Sequence, residues 1–95
     1  MRLRSIRHKA LKRFVERDDA KGLAAARVDK IRKIITALAV AESIADIPAL
    51  PGWRLHPLKG DRKGRWSLTV TGNWRITFEV IDDEVCDKDL EDYHR

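Results

Sequence analysis

The sequence predicts an α+β fold: two N-terminal helices packed on one face of a mostly antiparallel sheet, in the order β-α-α-β-β-β-β. Three observations predict it. Apolar residues recur at helical spacing through residue 41. Pro48, Pro51 and Gly52 then end helical structure. From Trp53 onward the apolar period is two, the spacing of strands with one buried face.

Each element follows in turn. Leu3 to Arg7 reads as a short first strand. Leu11, Phe14 and Val15, set among basic residues, predict a helix over Lys9 to Arg17, broken by Asp18, Asp19 and Gly22. Val28, Ile31, Ile34, Ile35 and Leu38 form one apolar stripe on a second helix from Ala24 to Ala41. Its other face carries Arg27, Asp29, Lys30, Arg32 and Lys33.

Further on, Trp53 and Leu55 alternate with Arg54 and His56, and Trp66, Leu68 and Val70 with Ser67, Thr69 and Thr71. Trp74, Ile76, Phe78 and Val80 alternate with Arg75, Thr77 and Glu79. Thr71-Gly72-Asn73 is a tight turn that makes the last two strands antiparallel neighbours. Asp82-Asp83 is a second turn, leading to a final strand from Val85 to Leu90. Helices cover one face only, so this phase leaves Arg54, His56, Ser67, Thr69, Arg75 and Thr77 on an open, positively biased face.

A chain of 95 residues makes a single domain, residues 1–95. Charged residues are 37% of it, and the net charge of +5 hides an asymmetry. Residues 1–33 hold 12 Lys/Arg against 4 Asp/Glu, residues 53–78 hold 6 against 1, and residues 79–95 hold 2 against 8. Basic surface attracts polyanions and makes binding salt-sensitive. Nucleic-acid binders share that signal with binders of acidic proteins and with plain solvated helix faces.

The single cysteine, Cys86, excludes an intramolecular disulfide and a cysteine-based zinc site. No run of ~18 apolar residues is present, and Met1-Arg2-Leu3-Arg4 lacks the apolar stretch of a signal peptide. A cytoplasmic protein with no membrane partner is expected. The phosphate-binding glycine loop, the nucleotide fingerprint, HExxH and the serine nucleophile elbow are all missing, so no cofactor and no metal-ligand set is expected.

Among residues able to do chemistry, His56 precedes Pro57 and is biased towards an extended backbone. It is either a surface histidine at a strand end or a proton-transfer group on the open face. Lys59 opens the loop Lys59-Gly60-Asp61-Arg62-Lys63-Gly64-Arg65, which suits phosphate contact or simple solvation. Arg75 is held by a strand whose alternate residues are buried. Its planar fork fits bidentate phosphate contact, or a cross-strand salt bridge with Glu79 or a tail acid. Asp92-Tyr93-His94 is either a frayed acidic end or a segment folded against the basic sheet. His8, between Arg7 and Lys9, reads as structural or surface.

Taken in order, Ile6-Arg7-His8-Lys9, Leu11-Lys12-Arg13-Phe14, Leu55-His56-Pro57-Leu58-Lys59-Gly60-Asp61, Trp66-Ser67-Leu68-Thr69-Val70, Gly72-Asn73-Trp74-Arg75-Ile76-Thr77-Phe78 and Asp92-Tyr93-His94 resemble the HigB-type toxins. These are the plasmid maintenance system killer proteins of the RelE/ParE toxin superfamily. The resemblance covers essentially the whole chain. It implies a compact RelE-like ribonuclease fold and a toxin of a type II toxin–antitoxin system. It further implies a ribosome-dependent endoribonuclease that cleaves mRNA in the A site of the 70S ribosome and stops translation. The implied partner is a HigA-type helix-turn-helix antitoxin, with operator DNA reached only through it. By similarity the functional residues fall on His56, Lys59, Asn73, Arg75, Asp92, Tyr93 and His94.

That activity implies metal-free attack of a ribose 2′-OH on the adjacent phosphate. It needs a base, charge stabilisation of the phosphorane and an acid for the leaving oxygen. Arg75 with Lys59 is assigned to the phosphate charge, and His94 to one proton transfer with Asp92 orienting it. His56 and Tyr93 compete for the remaining acid–base or base-stacking duty. Arg54, Arg62, Lys63, Arg65 and Asn73 are expected to bind the RNA. Two readings from other classes stand beside this one. A ParE-like toxin would inhibit DNA gyrase without catalysis, and a simple RNA- or ribosome-binding module would cause no growth arrest.

Overall fold

The computed structural model describes residues 1–92. Tyr93 and His94, two of the expected catalytic residues, lie outside the described residues. The element order is the expected one: β1 (Arg2–Leu3), α1 (Lys9–Arg17), α2 (Ala25–Val40), β2 (His56–Pro57), β3 (Arg65–Thr71), β4 (Trp74–Ile81) and β5 (Glu84–Asp92). The strands form one sheet in the order β1-β5-β4-β3-β2, antiparallel except where β1 runs parallel to β5.

The helices form where the apolar period predicts. His8 starts α1, its Nδ1 accepting the Leu11 N–H at 3.1 Å and so satisfying one of the unpaired amides at a helix start. Asp18 ends it in the left-handed conformation, with Arg17 in the last turn where a cation complements the helix dipole. On α2, Ile31, Ile34, Ile35 and Leu38 are buried. They close over Leu68, Val70, Ile76 and Phe78 of the sheet, joined by Leu11 and Phe14 of α1. Each of these large side chains removes enough apolar area to contribute ~1.5–3 kcal/mol.

Three departures from the sequence reading matter for the site. The strand expected from Trp53 shrinks to His56–Pro57, because Arg54 adopts a left-handed backbone (φ 47°) that extended pairing does not tolerate. The Trp53 carbonyl still accepts the Thr69 N–H at 2.7 Å, so the segment stays beside β3. At the other edge, the strand expected over Leu3 to Arg7 is interrupted after Leu3, and regular pairing with β5 resumes as a single bridge at Ile6, opposite Lys88.

The cause of that interruption is the third departure, a bulge in β5. Pairing with β4 slips by one residue between Thr77↔Asp89 and Glu79↔Cys86, and Asp87 there has φ 50°. Ser5 fills the bulge: its hydroxyl accepts the Asp87 N–H at 2.8 Å and donates to Asp87 Oδ1 at 3.1 Å. The inserted residue turns Lys88 inward, where it is wholly buried and its ammonium donates to the Val85 carbonyl at 2.8 Å. Burial pushes the Lys88 amine down, against the opposing influence of Cys86 and Asp87. Beyond the bulge β5 runs two residues further than expected, to Asp92.

Candidate active site

On the sheet face turned away from the helices, register sets the side chains in rows. His56 pairs with Ser67, Ser67 with Thr77 and Thr77 with Asp89. One step along, Thr69 pairs with Arg75 and Arg75 with Glu91. These rows floor a cleft of about 320 Å³. Ser67, Arg75, Thr77, Glu91 and Asp92 come from the strands, and Leu58, Lys59 and Arg62 come from the loop after β2.

His56 stands at the edge of this cleft. A carbonyl only accepts, so the 2.8 Å contact of Nδ1 with the Arg54 carbonyl puts the ring proton on Nδ1. Nε2 then presents its lone pair to Arg75 Nη1, 3.4 Å away. The left-handed turn at Arg54 aims the carbonyl that fixes this orientation. Arg54 itself is exposed and does not line the cleft.

Lys59 lies at the start of the short 3-10 turn Gly60–Arg62, and its side chain enters the same cleft as Arg75 and Asp92. The structure therefore gathers His56, Lys59, Arg75 and Asp92 in one place. Lys63, exposed, follows the 3-10 turn, and Asn73, also exposed, sits in the β3–β4 turn beside Trp74, which pairs with Asp92.

One of the residues expected on RNA is differently placed. Arg65 is not a loop cation but a buried one, 6% exposed. Its Nη2 donates to Thr77 Oγ1 at 3.1 Å and to the Asp87 carbonyl at 2.7 Å, and its Nη1 lies 3.6 Å from Glu79. Register explains this correction: Arg65 begins β3 opposite Glu79, in phase with Ser67, so its side chain runs beneath the sheet's polar face. The guanidinium of Arg62 is paired with Glu91. The polar face is also less open than alternation suggests, for Ser67 and Thr77 are buried.

Glu91 is the residue that sequence reasoning missed. Its carboxylate accepts from Arg62 and from Thr77 Oγ1. Burial alone would raise this carboxyl, but hydrogen bonds from Arg62 and Thr77, with the charges of Arg62 and Arg65, hold it below its ordinary value. Arg62 is correspondingly raised, first by its hydrogen bond to Glu91. Carrying the β5 alternation two residues past Leu90 would have set Glu91 against Arg75 as an opposite-charge pair.

A larger groove of about 750 Å³ lies along α2 and is lined by Ala37, Val40, Leu50 and Trp53 together with Arg32, Lys33, Glu42 and Asp46. None of the residues lining it is among those the sequence singles out for chemistry. Among the described residues, no group of three or more His, Cys, Asp or Glu side chains is disposed to hold a metal ion.

Residues 4–94 match the family model of the RelE-like toxin of type II toxin–antitoxin system HigB. The chain is 41% identical over 92 residues to the endoribonuclease HigB of Proteus vulgaris, covering 97% of this chain and 99% of that protein. Crystal structures of YafQ from E. coli share the fold. A mutant form gives a TM-score of 0.65 at 18% identity, and the protein from strain BL21(DE3) gives 0.64 at 16%. Each covers 99% of this chain and 96% of the YafQ chain. The chain belongs to the RelE-like HigB toxins of type II toxin–antitoxin systems, whose counterpart is an antitoxin.

Proposed function

We propose that the protein is a ribosome-dependent endoribonuclease that cleaves mRNA in the A site of the 70S ribosome and thereby stops translation. The observation that carries this reading is the meeting of Lys59, Arg75 and Asp92 in one cleft, with His56 held against Arg75. The 41% identity to an endoribonuclease over nearly the full length supports the same reaction here.

In that reaction the ribose 2′-oxygen attacks phosphorus and the bond to the 5′-oxygen breaks. A 2′,3′-cyclic phosphate and a 5′-hydroxyl are left. The base takes the 2′-OH proton and the acid delivers one to the 5′-oxygen. Arg75 and Lys59 neutralise the extra charge on the phosphorane, acting from fixed positions in a partly enclosed cleft. His56 keeps its ring proton on Nδ1 against the Arg54 carbonyl, so Nε2 can accept a proton once the substrate phosphate draws Arg75 away from it. Asp92, Tyr93 and His94 complete the set, with His94 in the second proton transfer and Asp92 orienting it. Tyr93 shares the remaining duty with His56.

A HigA-type helix-turn-helix antitoxin neutralises the toxin, and operator DNA is reached only through that antitoxin. The site of action is the cytoplasm, on translating ribosomes, with no membrane involved. No helix among the described residues is long and apolar enough to cross a membrane. A ParE-like gyrase inhibitor would have no use for the His56–Lys59–Arg75–Asp92 cluster.

Primer extension on a ribosome-bound message after brief induction tests the proposal. Discrete cleavage sites that vanish with Arg75→Ala are expected. Intact message accompanied by DNA damage would replace this reading with gyrase inhibition.

A further inference from the structure

The loop that carries Lys59 into the cleft has few fixed points of its own. Its 3-10 turn is closed by Arg62 N–H to Lys59 O at 3.3 Å and Lys63 N–H to Gly60 O at 3.1 Å. Gly60 opens it and Gly64 follows it, with φ of 65° and 97°, and the space where each would carry a side chain is open. Leu58 N–H to Arg65 O, at 2.8 Å, anchors the base of the loop but not its tip. Without another tie, Lys59 would sample many positions.

The tie is Glu91. Its carboxylate takes Arg62 from the tip of the loop and Thr77 Oγ1 from β4. Thr77 Oγ1 in turn accepts from buried Arg65, whose Nη2 also reaches the bulge carbonyl of Asp87. A continuous line of hydrogen bonds thus runs from the β5 bulge, beneath the cleft, to the loop above it. Glu91 is held ionised by these partners against the opposing effect of burial. A carboxylate so held is a weak proton acceptor and no donor, which separates it from acid–base duty.

We propose that Glu91 is a positioning residue: by pinning Arg62 it fixes the Lys59–Lys63 turn over β4 and β5, and so sets where the Lys59 ammonium meets the substrate phosphate. This inference rests on the ribonuclease reading. It also reassigns Arg62 from an RNA ligand to the link between Glu91 and the loop.

The test is single-turnover and steady-state cleavage of a ribosome-bound message by the full-length wild type, Glu91→Ala, Glu91→Gln, Arg62→Met, Lys59→Ala and the Glu91→Ala/Lys59→Ala pair. Amide hydrogen exchange of residues 59–63 and the melting temperature are followed in each. Glu91→Ala should lower kcat on the order of 10–100-fold, as misplaced catalytic groups do, while KM changes by less than about twofold. Exchange across residues 59–63 should quicken. Arg62→Met should do the same from the other side of the link, and Glu91→Gln, which keeps an acceptor, should recover much of the loss.

In the Lys59→Ala background, Glu91→Ala should cost no more than about a further twofold, because the two act through one group. Losses that multiply in the double variant overturn the proposal, as does an unchanged kcat in Glu91→Ala. A fall in melting temperature with kcat intact would also overturn it, by assigning Glu91 to stability alone. If the wild type itself leaves the message whole, the ribonuclease reading falls instead, and loop exchange still tells whether the tether exists.

Discussion

His56 and Arg75, nineteen residues apart, face each other across the strand between them, with Nε2 3.4 Å from Nη1. The ring nitrogen accepts from a guanidinium that cannot lose its proton, so Nε2 is released for proton transfer only when Arg75 turns to another acceptor. A phosphate placed between them would find charge and proton acceptor side by side.

Arg75→Lys keeps the charge and loses the planar fork. If the fork grips the phosphorane, message cleavage should fall on the order of 10²–10³-fold, the cost of removing one well-placed donor from a developing oxyanion. The melting temperature should stay within a few degrees of the wild type. Cleavage close to wild-type level would mean that charge alone suffices at this position.

Removing residues 93–95 tests the proposed duties of Tyr93 and His94. Cleavage and growth arrest should be lost while the cooperative melting transition is kept, because the truncation retains every buried core residue described, from Ala10 to Leu90. A truncated protein that folds and remains as toxic would remove both residues from the mechanism.

Arg65→Met separates two views of one cation. An RNA-phosphate ligand, when lost, flattens the salt dependence of binding by about one unit of slope and leaves stability alone. The buried position predicts the reverse. The variant should lose roughly 1–3 kcal/mol by leaving Thr77 and the Asp87 carbonyl without their donor. That corresponds to a melting temperature lower by about 4–8 °C per kcal/mol in a domain of this size. The salt slope should not move.

Lys88 predicts a pH effect whose sign can be worked out. Burial lowers its pKa in the folded state, so the unfolded chain binds more protons in the interval between the folded and unfolded values. Stability should therefore rise as pH increases through that interval, which ends at the ordinary lysine value. Lys88→Met should flatten the rise and stabilise the protein at neutral pH by about 1 kcal/mol or more, since an apolar chain needs no acceptor. Chemical denaturation at several pH values reads both effects. An unchanged pH slope, or a less stable variant, would mean that the ammonium's bond to Val85 outweighs its desolvation.

Much of this architecture was legible in the residues. Both helices and strands β3 and β4 follow from the spacing of Leu11, Phe14, Ile31, Ile34, Leu38, Leu68, Val70, Ile76 and Phe78, because burial on one face is a local and repetitive demand. The same alternation brought His56 and Arg75 to one face. What alternation cannot register is a single inserted residue. The bulge at Asp87 leaves composition untouched, yet it reverses the phase of Lys88 and offers Arg65 a carbonyl. Arg65 was misread for a related reason: a long side chain at a strand's first residue looks like loop until its cross-strand neighbour Glu79 is known. Glu91 was lost with the last turn of alternation, because acidic residues near a chain end resemble solvated tail.

The Ser5–Asp87 clasp bears on the order of assembly. Its partners are 82 residues apart, and the strand it secures is last in sequence yet lies inside the sheet, between β1 and β4. Closing so long a loop adds little entropy beyond closing a moderate one, but such non-local pairings slow folding. The helices and the β3–β4 hairpin can form from near neighbours. So can the cleft, since β2 to β5 are successive antiparallel neighbours and its lining residues all fall between Leu58 and Asp92. What waits for the Ser5–Asp87 clasp is the β1 edge, so the floor of the cleft can assemble before β1 docks on β5.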